Sequence, residues 1–216
     1  MKKIKLFLFI ILLIVIIILT YNLLNNNKKN LLVIGNNLTK EEVKYYDYIK
    51  LYLEDKNILK SYDFSYTKES YLIKDLTKDI YNNNKVYISK EEHNIKQLLG
   101  HSNIIIVSIG NNEITNNYKD IDNLLIDIEK LIKQINIYKR GKIYFLSFYD
   151  CSYNKYIDYA NNKLKQILID DNINYIDINT IISKSNECIE INNLSLTLNK
   201  KVSNQIIKKL EKDLSN

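Results

Sequence analysis

The chain has 216 residues, enough for one domain of ordinary size and an N-terminal extension, and it contains neither proline nor tryptophan. Its formal net charge of +6 depends on five lysines in the first 30 residues, which contain no acidic residue. Without Lys2, Lys3, Lys5, Lys28 and Lys29, the rest of the 31 basic residues nearly balance the 25 acidic residues. A nucleic-acid partner needs a basic face that neutralises phosphates, so the composition argues against nucleic acid.

An unbroken apolar run extends from Leu6 to Leu19 and continues less purely to Leu24. Its length is close to the ~20 residues that a helix needs to cross a bilayer. Lysines precede the run, so the positive-inside rule places the N-terminus in the cytoplasm, although Lys28 and Lys29 weaken this bias. A cleaved signal peptide is the alternative, but no small-residue cleavage motif follows the run.

We therefore predict a transmembrane signal-anchor at residues 1–24 and a polar linker at residues 25–30. Residues 31–216 would then form an extracytoplasmic domain of a single-pass protein of the cell membrane. The membrane is one predicted partner, reached through the N-terminal helix.

Beyond the linker, short β-branched runs alternate with segments whose apolar residues recur every three or four positions. These patterns are typical of strands buried on both faces and of amphipathic helices. The predicted strands are Leu31–Ile34, a short strand near Tyr62–Tyr66, Asn103–Ile109, Lys142–Phe148 and Asn174–Ile178. The predicted helices are Lys40–Glu54, Tyr71–Tyr81, Lys90–Leu99, Lys119–Tyr138, Asn154–Ile169 and Lys200–Leu214.

The alternation predicts a three-layer α/β/α domain of the flavodoxin-like kind, with about five parallel strands in the order 2-1-3-4-5. Two of these strands end in a glycine followed by polar residues. The first is followed by Gly35-Asn36-Asn37-Leu38-Thr39, and the third by Gly110-Asn111-Asn112-Glu113. Open α/β sheets place their sites at the carboxyl ends of their strands, so both loops are candidate site elements.

Four stretches in chain order resemble the sequence blocks of the SGNH (GDSL-type) hydrolases, and the resemblance covers residues 31–214. Residues 33–39 resemble the first block, in which Gly-Asp-Ser-Leu-Thr supplies the nucleophilic serine. Residues 66–76 resemble the second block, which supplies an oxyanion-hole glycine. Residues 109–113 resemble the third block, Gly-x-Asn-Asp, and residues 194–202 the fifth, in which Asp-x-x-His supplies the acid and the base. The resemblance implies an SGNH-hydrolase-like fold.

The chain departs from the family at the positions that carry the chemistry. Asn37 stands at the position of the nucleophile, Ser70 at that of the second-block glycine, and Thr197 at that of the catalytic histidine. Asn36 and Leu194 replace the two aspartates, and of the four namesake residues only the third-block asparagine is retained. The resemblance thus implies a degenerate site at Gly35, Asn36, Asn37, Ser70, Gly110, Asn112 and Thr197.

Acyl transfer by a serine requires a base that takes the hydroxyl proton and an acid that orients the base. Thr197 does not titrate near pH 7 and cannot replace an imidazole. The chain has two histidines. We interpret His93 as a solvated residue of a predicted helix, and His101 precedes a buried strand at the edge opposite the site. Ser70 and Ser195 have no identifiable base partner.

Glu113 and Asp150 follow strands, but two carboxylates without a nearby histidine make a poor transition-metal site, so we predict neither metal nor cofactor. Cys151 and Cys188 would face a space in which a disulfide is permitted. In the predicted strand order both emerge at the same edge and can approach each other. Incidental thiols are the interpretation we favour, since two cysteines do not make a disulfide framework.

The sequence supports one leading hypothesis and two alternatives. The leading hypothesis is a catalytically inactive SGNH-hydrolase-like protein that binds a partner protein, or a glycan or acyl group of the cell envelope. The first alternative is an active esterase or deacetylase of the SGNH/GDSL family with a non-standard residue set. The second is a relic domain with little retained function.

Overall fold

A computed structural model describes residues 10–17, 28–116, 120–152, 154–185, 187–190 and 193–215. Residues 10–17 form a helix, α1, whose apolar side chains are exposed. The rest of the predicted anchor at 1–24 lies outside the described residues. Within the described part of the chain, no helix is both long enough and apolar enough to cross a membrane.

Five of the strands form one parallel sheet in the order β2-β1-β5-β6-β7. The strands are β1 (Lys29–Asn36), β2 (Leu59–Lys68), β3 (Lys85–Ile88), β4 (Glu91–Asn94), β5 (Ile104–Ser108), β6 (Lys142–Leu146), β7 (Asn174–Ile176), β8 (Cys188–Glu190) and β9 (Asn193–Leu194). Counted within the sheet, this is the predicted order 2-1-3-4-5, so the prediction of a five-stranded parallel α/β sheet is confirmed. Strands β3 and β4, and strands β8 and β9, form two antiparallel pairs.

Helices cover both faces of the sheet. After α1 they are α2 (Tyr45–Asp55), α3 (Ile73–Asn82), α4 (Ile95–His101), α5 (Asn111–Asn116), α6 (Ile121–Tyr138), α7 (Lys155–Asp170), α8 (Asn179–Ile182) and α9 (Leu196–Leu214). The apolar faces of α3, α4, α6 and α7 pack on one side, and those of α2 and α9 on the other. The strands therefore separate two apolar cores, as expected of a parallel sheet.

Strand β1 shows how the sequence builds this arrangement. Successive side chains of a strand point to opposite faces, so Leu32 and Ile34 enter one core while Leu31 and Val33 enter the other. All four are at most 1% exposed. Strand β1 begins at Lys29, so the last two residues of the predicted linker belong to the strand.

The segment predicted as a helix from Lys90 to Leu99 is a helix only in its second half. Residues 85–94 form the hairpin of β3 and β4, whose turn places Ser89 and Lys90 at φ of 49° and 73°. Positive φ at both central residues suits a two-residue hairpin turn. Serine and lysine are not residue types that predict such a turn. Helix α4 begins only after Asn94, whose side chain accepts a hydrogen bond from the backbone of Gln97.

Cys151 and Cys188 form a disulfide, with Cα atoms 5.2 Å apart. The interpretation of these residues as incidental thiols is therefore wrong. The bridge joins the loop after β6 to β8, at the edge where the sequence placed both residues. It closes a loop of 37 residues, for which the chain-entropy model gives roughly 3–4 kcal/mol of stabilisation.

The glycines of the two motif loops are required by the backbone. Gly35 has a φ of +111°, and a Cβ added to it would lie 2.0 Å from the carbonyl oxygen of Ser108 on the neighbouring strand. Gly110 has a φ of +96°, and a Cβ there would lie 2.6 Å from Cε1 of Phe148. Only glycine allows the chain to turn at these two strand ends.

We expect Gly35→Ala to destabilise the domain by at least about 3 kcal/mol, because it adds backbone strain and a clash with a backbone carbonyl. The matched control is Gly100→Ala in α4. A Cβ at Gly100 would lie 3.6 Å from the carbonyl oxygen of Tyr138, an ordinary contact, so alanine should stabilise by about 0.5–1 kcal/mol through its helix propensity. Thermal and denaturant unfolding of the full chain in mild detergent measures both. A loss below about 1 kcal/mol for Gly35→Ala would contradict the proposed backbone constraint.

Candidate functional site

The loops that follow β1, β2 and β5 meet at the carboxyl-terminal edge of the sheet. The backbone N–H of Asn37 donates to the carbonyl of Lys68 at 3.0 Å. The side-chain amide of Asn112 donates to the carbonyl of Glu69 at 3.4 Å. The segments that resemble the first, second and third family blocks are thus in direct contact, and Ser70 follows Glu69 in the same turn.

The segment before α9 reaches the same edge. The backbone N–H of Leu194 donates to the carbonyl of Leu38 at 2.9 Å, and the hydroxyl of Thr39 donates to the carbonyl of Leu194 at 2.6 Å. Thr197 lies in the first turn of α9, three residues further along, and its side chain is exposed. The fold therefore brings together the loops of all four segments singled out by the sequence.

The nucleophile position is held by an amide–phenol contact. The hydroxyl of Tyr46 donates to Oδ1 of Asn37 at 3.1 Å and lies 3.4 Å from the hydroxyl of Thr67. Burial raises the pKa of Tyr46. The hydrogen bond with Thr67 opposes this increase, and the charge of Asp47 adds to it. The phenol therefore stays protonated at neutral pH and acts as a donor to Asn37.

Asn36 is 1% exposed, and neither polar atom of its amide has a hydrogen-bond partner among the described residues. The family that the sequence resembles has an aspartate at this position. An aspartate here would place an unpaired charge in the interior, which is far more costly than an unpaired amide. Asparagine is thus the less destabilising residue in the environment that this chain builds.

The two serines considered as nucleophiles occupy different settings. Ser195 is the N-cap of α9, where its Oγ accepts from the backbone of Leu198 at 3.2 Å and donates to Oε2 of Glu187 at 3.3 Å. Ser70 lies in an exposed turn. Within the described residues, no histidine side chain hydrogen-bonds to a serine or threonine hydroxyl.

His93 is not the solvated helical residue that the sequence suggested. It lies on β4, and its Nδ1 is 2.5 Å from Oδ2 of Asp63 on β2, with both side chains largely buried. The other carboxylate oxygen of Asp63 accepts from the hydroxyl of Ser65 at 2.6 Å. The carboxylate therefore separates the serine from the imidazole, whereas serine catalysis needs the imidazole between them.

His101 lies where the sequence placed it, at the end of α4 and just before β5. Its backbone carbonyl accepts a hydrogen bond from the side-chain amide of Asn30, near the start of β1, at 2.8 Å. Because β1 and β5 begin at this edge, His101 and the candidate site lie at opposite ends of the strands.

Two buried asparagines hold the loop after β6 in place. The sequence alone did not predict this role. Asn161 on α7 accepts from the N–H of Phe148 and donates to its carbonyl, both at 2.9 Å. Asn111 accepts from the N–H of Tyr149 at 2.8 Å. An amide supplies both a donor and an acceptor, which suits it to satisfying buried backbone groups. Asn161 interrupts the apolar face of α7, which is the one sequence signal that marks it.

A cleft of about 390 Å³ opens beside Asn112, between α3 and α6. Its lining combines apolar side chains such as Leu72 and Leu124 with the carboxylates of Glu113, Asp120 and Asp127. Lys74 also lines the cleft, and its ammonium lies 3.5 Å from Oδ2 of Asp127. Amide and carboxylate oxygens beside these apolar side chains can accept hydrogen bonds from the hydroxyl groups of a ligand. Among the described residues, no group of three or more His, Cys, Asp or Glu side chains is placed to hold a metal ion.

Glu113 is the buried carboxylate of this cleft. Its Oε1 accepts from the N–H of Ile73, the first residue of α3, at 2.6 Å, while its Oε2 has no partner among the described residues. Burial raises the pKa of Glu113, and the bond from Ile73 opposes this effect. Glu113 therefore caps the N-terminus of α3 across the cleft.

Solved structures with the same architecture identify the fold. An esterase, EstA, from Pseudoalteromonas sp. superposes with a TM-score of 0.66 at 10% identity, over 88% of this chain and 100% of that chain. A family 3 carbohydrate esterase from Clostridium thermocellum gives 0.63 at 15% identity, over 87% and 98%. The chain has the fold of the SGNH/GDSL-type esterases.

A member of the lipolytic G-D-S-L family from Veillonella parvula is also similar, with a TM-score of 0.61 at 12% identity over 83% of this chain and 96% of that chain. The sequence matches no protein-family model and no curated protein. The SGNH-like fold that the motif resemblance implied is thus confirmed from structure, at a level of identity where the sequence motifs alone are weak.

The buried carboxylate gives a pH-dependent prediction. A raised pKa means that the folded state holds the proton of Glu113 more tightly, so its ionisation lowers the stability as the pH rises through that pKa. Glu113→Gln keeps an acceptor for Ile73 and removes the charge. Relative to that of the parent chain, its free energy of unfolding should therefore increase between pH 4 and pH 7, so the variant becomes the more stable of the two as the pH rises.

The control is Glu113→Ala, which loses the bond to Ile73 and should cost about 1–2 kcal/mol at both pH values. Denaturant unfolding at the two pH values measures all three proteins. A difference between Glu113→Gln and the parent chain that does not change with pH would be the contrary result.

Proposed function

We propose that this chain is a membrane-anchored extracytoplasmic protein that uses an SGNH-type domain to bind a ligand without hydrolysing it. The observation that carries the proposal is the occupation of the nucleophile position by Asn37, whose carbonyl accepts from the phenol of Tyr46. An amide is neither a nucleophile nor a base at neutral pH. Thr197, at the position of the base, offers no titration near neutrality.

The ligand class follows from the cleft and from the proteins that share the fold. Structures similar to this one include acetyl xylan esterases and a carbohydrate esterase. The cleft beside Asn112 presents acceptors to hydroxyl groups, with apolar walls that suit a sugar ring or an acyl group. We therefore propose a glycan of the cell envelope, with or without acyl groups, as the ligand, and a partner protein as the alternative occupant.

The names of these similar structures favour the second candidate function, an active esterase or deacetylase with a non-standard residue set. Such an enzyme needs a nucleophile and a base within about 3 Å of each other, at least in a closed form. The two candidate functions therefore differ in whether the chain turns over an ester.

We expect the full chain in mild detergent to hydrolyse acetyl and longer acyl esters no faster than the heat-denatured chain does. The variant Asn37→Ser/Thr197→His restores a hydroxyl and an imidazole at the family positions, and Asn37→Ala is its matched control. Turnover by the double variant, and none by the control, would show that the loops still hold the catalytic geometry. Turnover by the parent chain that Ser70→Ala or Ser195→Ala abolishes would establish the esterase instead.

The anchor has its own prediction. The side chains of residues 10–17 are apolar and exposed, and lipid would cover them at no cost in packing. The full-length protein should therefore remain in the membrane fraction after washing with salt and with alkali. A mature N-terminus near residue 25, or recovery in the soluble fraction, would show a cleaved signal peptide.

A further inference from the structure

The edge of the sheet where the strands begin lies opposite the candidate site, and the chain enters the domain there. The N–H of Lys29 donates to the carbonyl of Ile58 at 2.7 Å. Asn30 and Asn103 bond to each other at the starts of β1 and β5, and Lys142 of β6 donates to Asn103 at 3.0 Å. We call this edge, with the helix ends beside it, the basal surface. Lys28, next to Lys29 at this edge, begins the described part of the domain.

The basal surface carries several exposed apolar side chains. Among the described residues, the four most exposed large apolar side chains are Tyr81, Tyr87, Ile137 and Ile169, at 72, 67, 65 and 62%. Ile137 and Ile169 lie in the last turns of α6 and α7, which end at this edge. Tyr81 lies in the last turn of α3, across a cleft from Lys133 of α6. Three of these four side chains therefore belong to the basal surface. Tyr87 lies on the β3–β4 hairpin and is not counted with them.

The helix ends that carry these apolar residues are held together. Asn136 of α6 donates to the carboxylate of Asp171, just after α7, at 3.1 Å. Lys96 of α4 donates to the carbonyl of Tyr81 at 3.2 Å, and its ammonium lies 4.8 Å from the ring centroid of Tyr138. The exposed apolar side chains are therefore presented by adjoining ends of one rigid layer.

Basic residues outnumber acidic residues on the basal surface. The basic residues at the strand starts and helix ends of this edge are Lys28, Lys29, Lys56, Lys60, Lys133, Lys139, Arg140 and Lys142. The acidic residues there are Glu54, Asp55, Asp170 and Asp171, and the last turn of α9 adds charges of both signs. Arg140, the one arginine of the chain, is exposed at the start of β6.

The opposite edge has no such excess. The loops around the candidate site carry the carboxylates of Glu41, Glu42, Glu69, Glu113, Asp120 and Asp150 together with Lys40, Lys44, Lys68, Lys74, Lys200 and Lys201. Basic residues therefore exceed acidic residues at the basal surface but not around the candidate site. A basic surface with protruding apolar side chains is complementary to an interface of anionic lipid headgroups, into which tyrosine and isoleucine can insert.

We propose that the basal surface lies against a bilayer that contains anionic lipid, and that it holds the candidate site facing away from the membrane. The inference rests on the proposed membrane anchor, which delivers the domain to the bilayer. The anchor supplies attachment, and the basal surface supplies orientation. The ligand of the site is then reached from the envelope space, not from the bilayer to which the chain is attached.

The test uses the full chain reconstituted into vesicles of phosphatidylcholine alone or mixed with phosphatidylglycerol. After flotation, limited reaction with an amine-reactive reagent is followed by mass spectrometry at single lysines. Lys56, Lys60 and Lys142 should react at least about threefold more slowly in the anionic vesicles, because lipid headgroups cover them. Lys40 and Lys200, exposed at the opposite edge, should react equally in both.

The variant Ile137→Asp/Arg140→Glu should abolish the slower reaction of Lys56 and Lys60, whereas Lys40→Glu should preserve it. Equal reaction in both kinds of vesicle, with the protein still floating, would overturn the proposed contact of the basal surface with lipid. It would leave the proposed anchor standing. Failure to float with either kind would overturn both proposals. If soluble polyphosphate slowed the reaction of these lysines as much as anionic vesicles do, the basal surface would be a site for anionic polymers. The proposed contact with lipid would then be overturned.

Discussion

The burial of β1 and β5 on both faces is the constraint on which the rest of the structure depends. Every residue of β5 is buried, and so are the last six residues of β1. Polar residues can therefore stand only where these strands end. Gly35 brings the two strand ends together, because the carbonyl of Ser108 occupies the space that any Cβ would need. The candidate site is a consequence of this close approach.

Side-chain amides hold the loops of this site in place. Asn111 and Asn161 satisfy the backbone after β6, and Asn199 donates to the carbonyls of Leu194 and Ser195 before α9. Asn161 uses both its acceptor and its donor on the backbone of Phe148, so one side chain replaces two backbone partners in a buried loop. Amides that are common in this chain thus stabilise the loops around the candidate site.

The polarity of the domain links the two proposals. The cleft lies at the carboxyl ends of the strands, and an excess of basic residues lies with Tyr81, Ile137 and Ile169 at their amino ends. In a parallel sheet these two ends are always on opposite sides of the domain. A chain that enters through β1 from a membrane thus turns the site away from that membrane by topology alone, and the basal surface would only fix this arrangement more firmly.

The sequence by itself determined the order of the sheet, the two glycine turns and the meeting of the four site segments. Continuous β-branched runs, amphipathic helices between them and right-handed crossovers leave few other topologies. It did not determine the hairpin at Ser89 and Lys90, because residues other than glycine rarely adopt positive φ. The contact of His93 with Asp63, the hydrogen bond from Tyr46 to Asn37 and the disulfide were decided only by the tertiary structure. Each joins different elements or loops of the fold, and their contact depends on how these elements pack, which local periodicity does not encode.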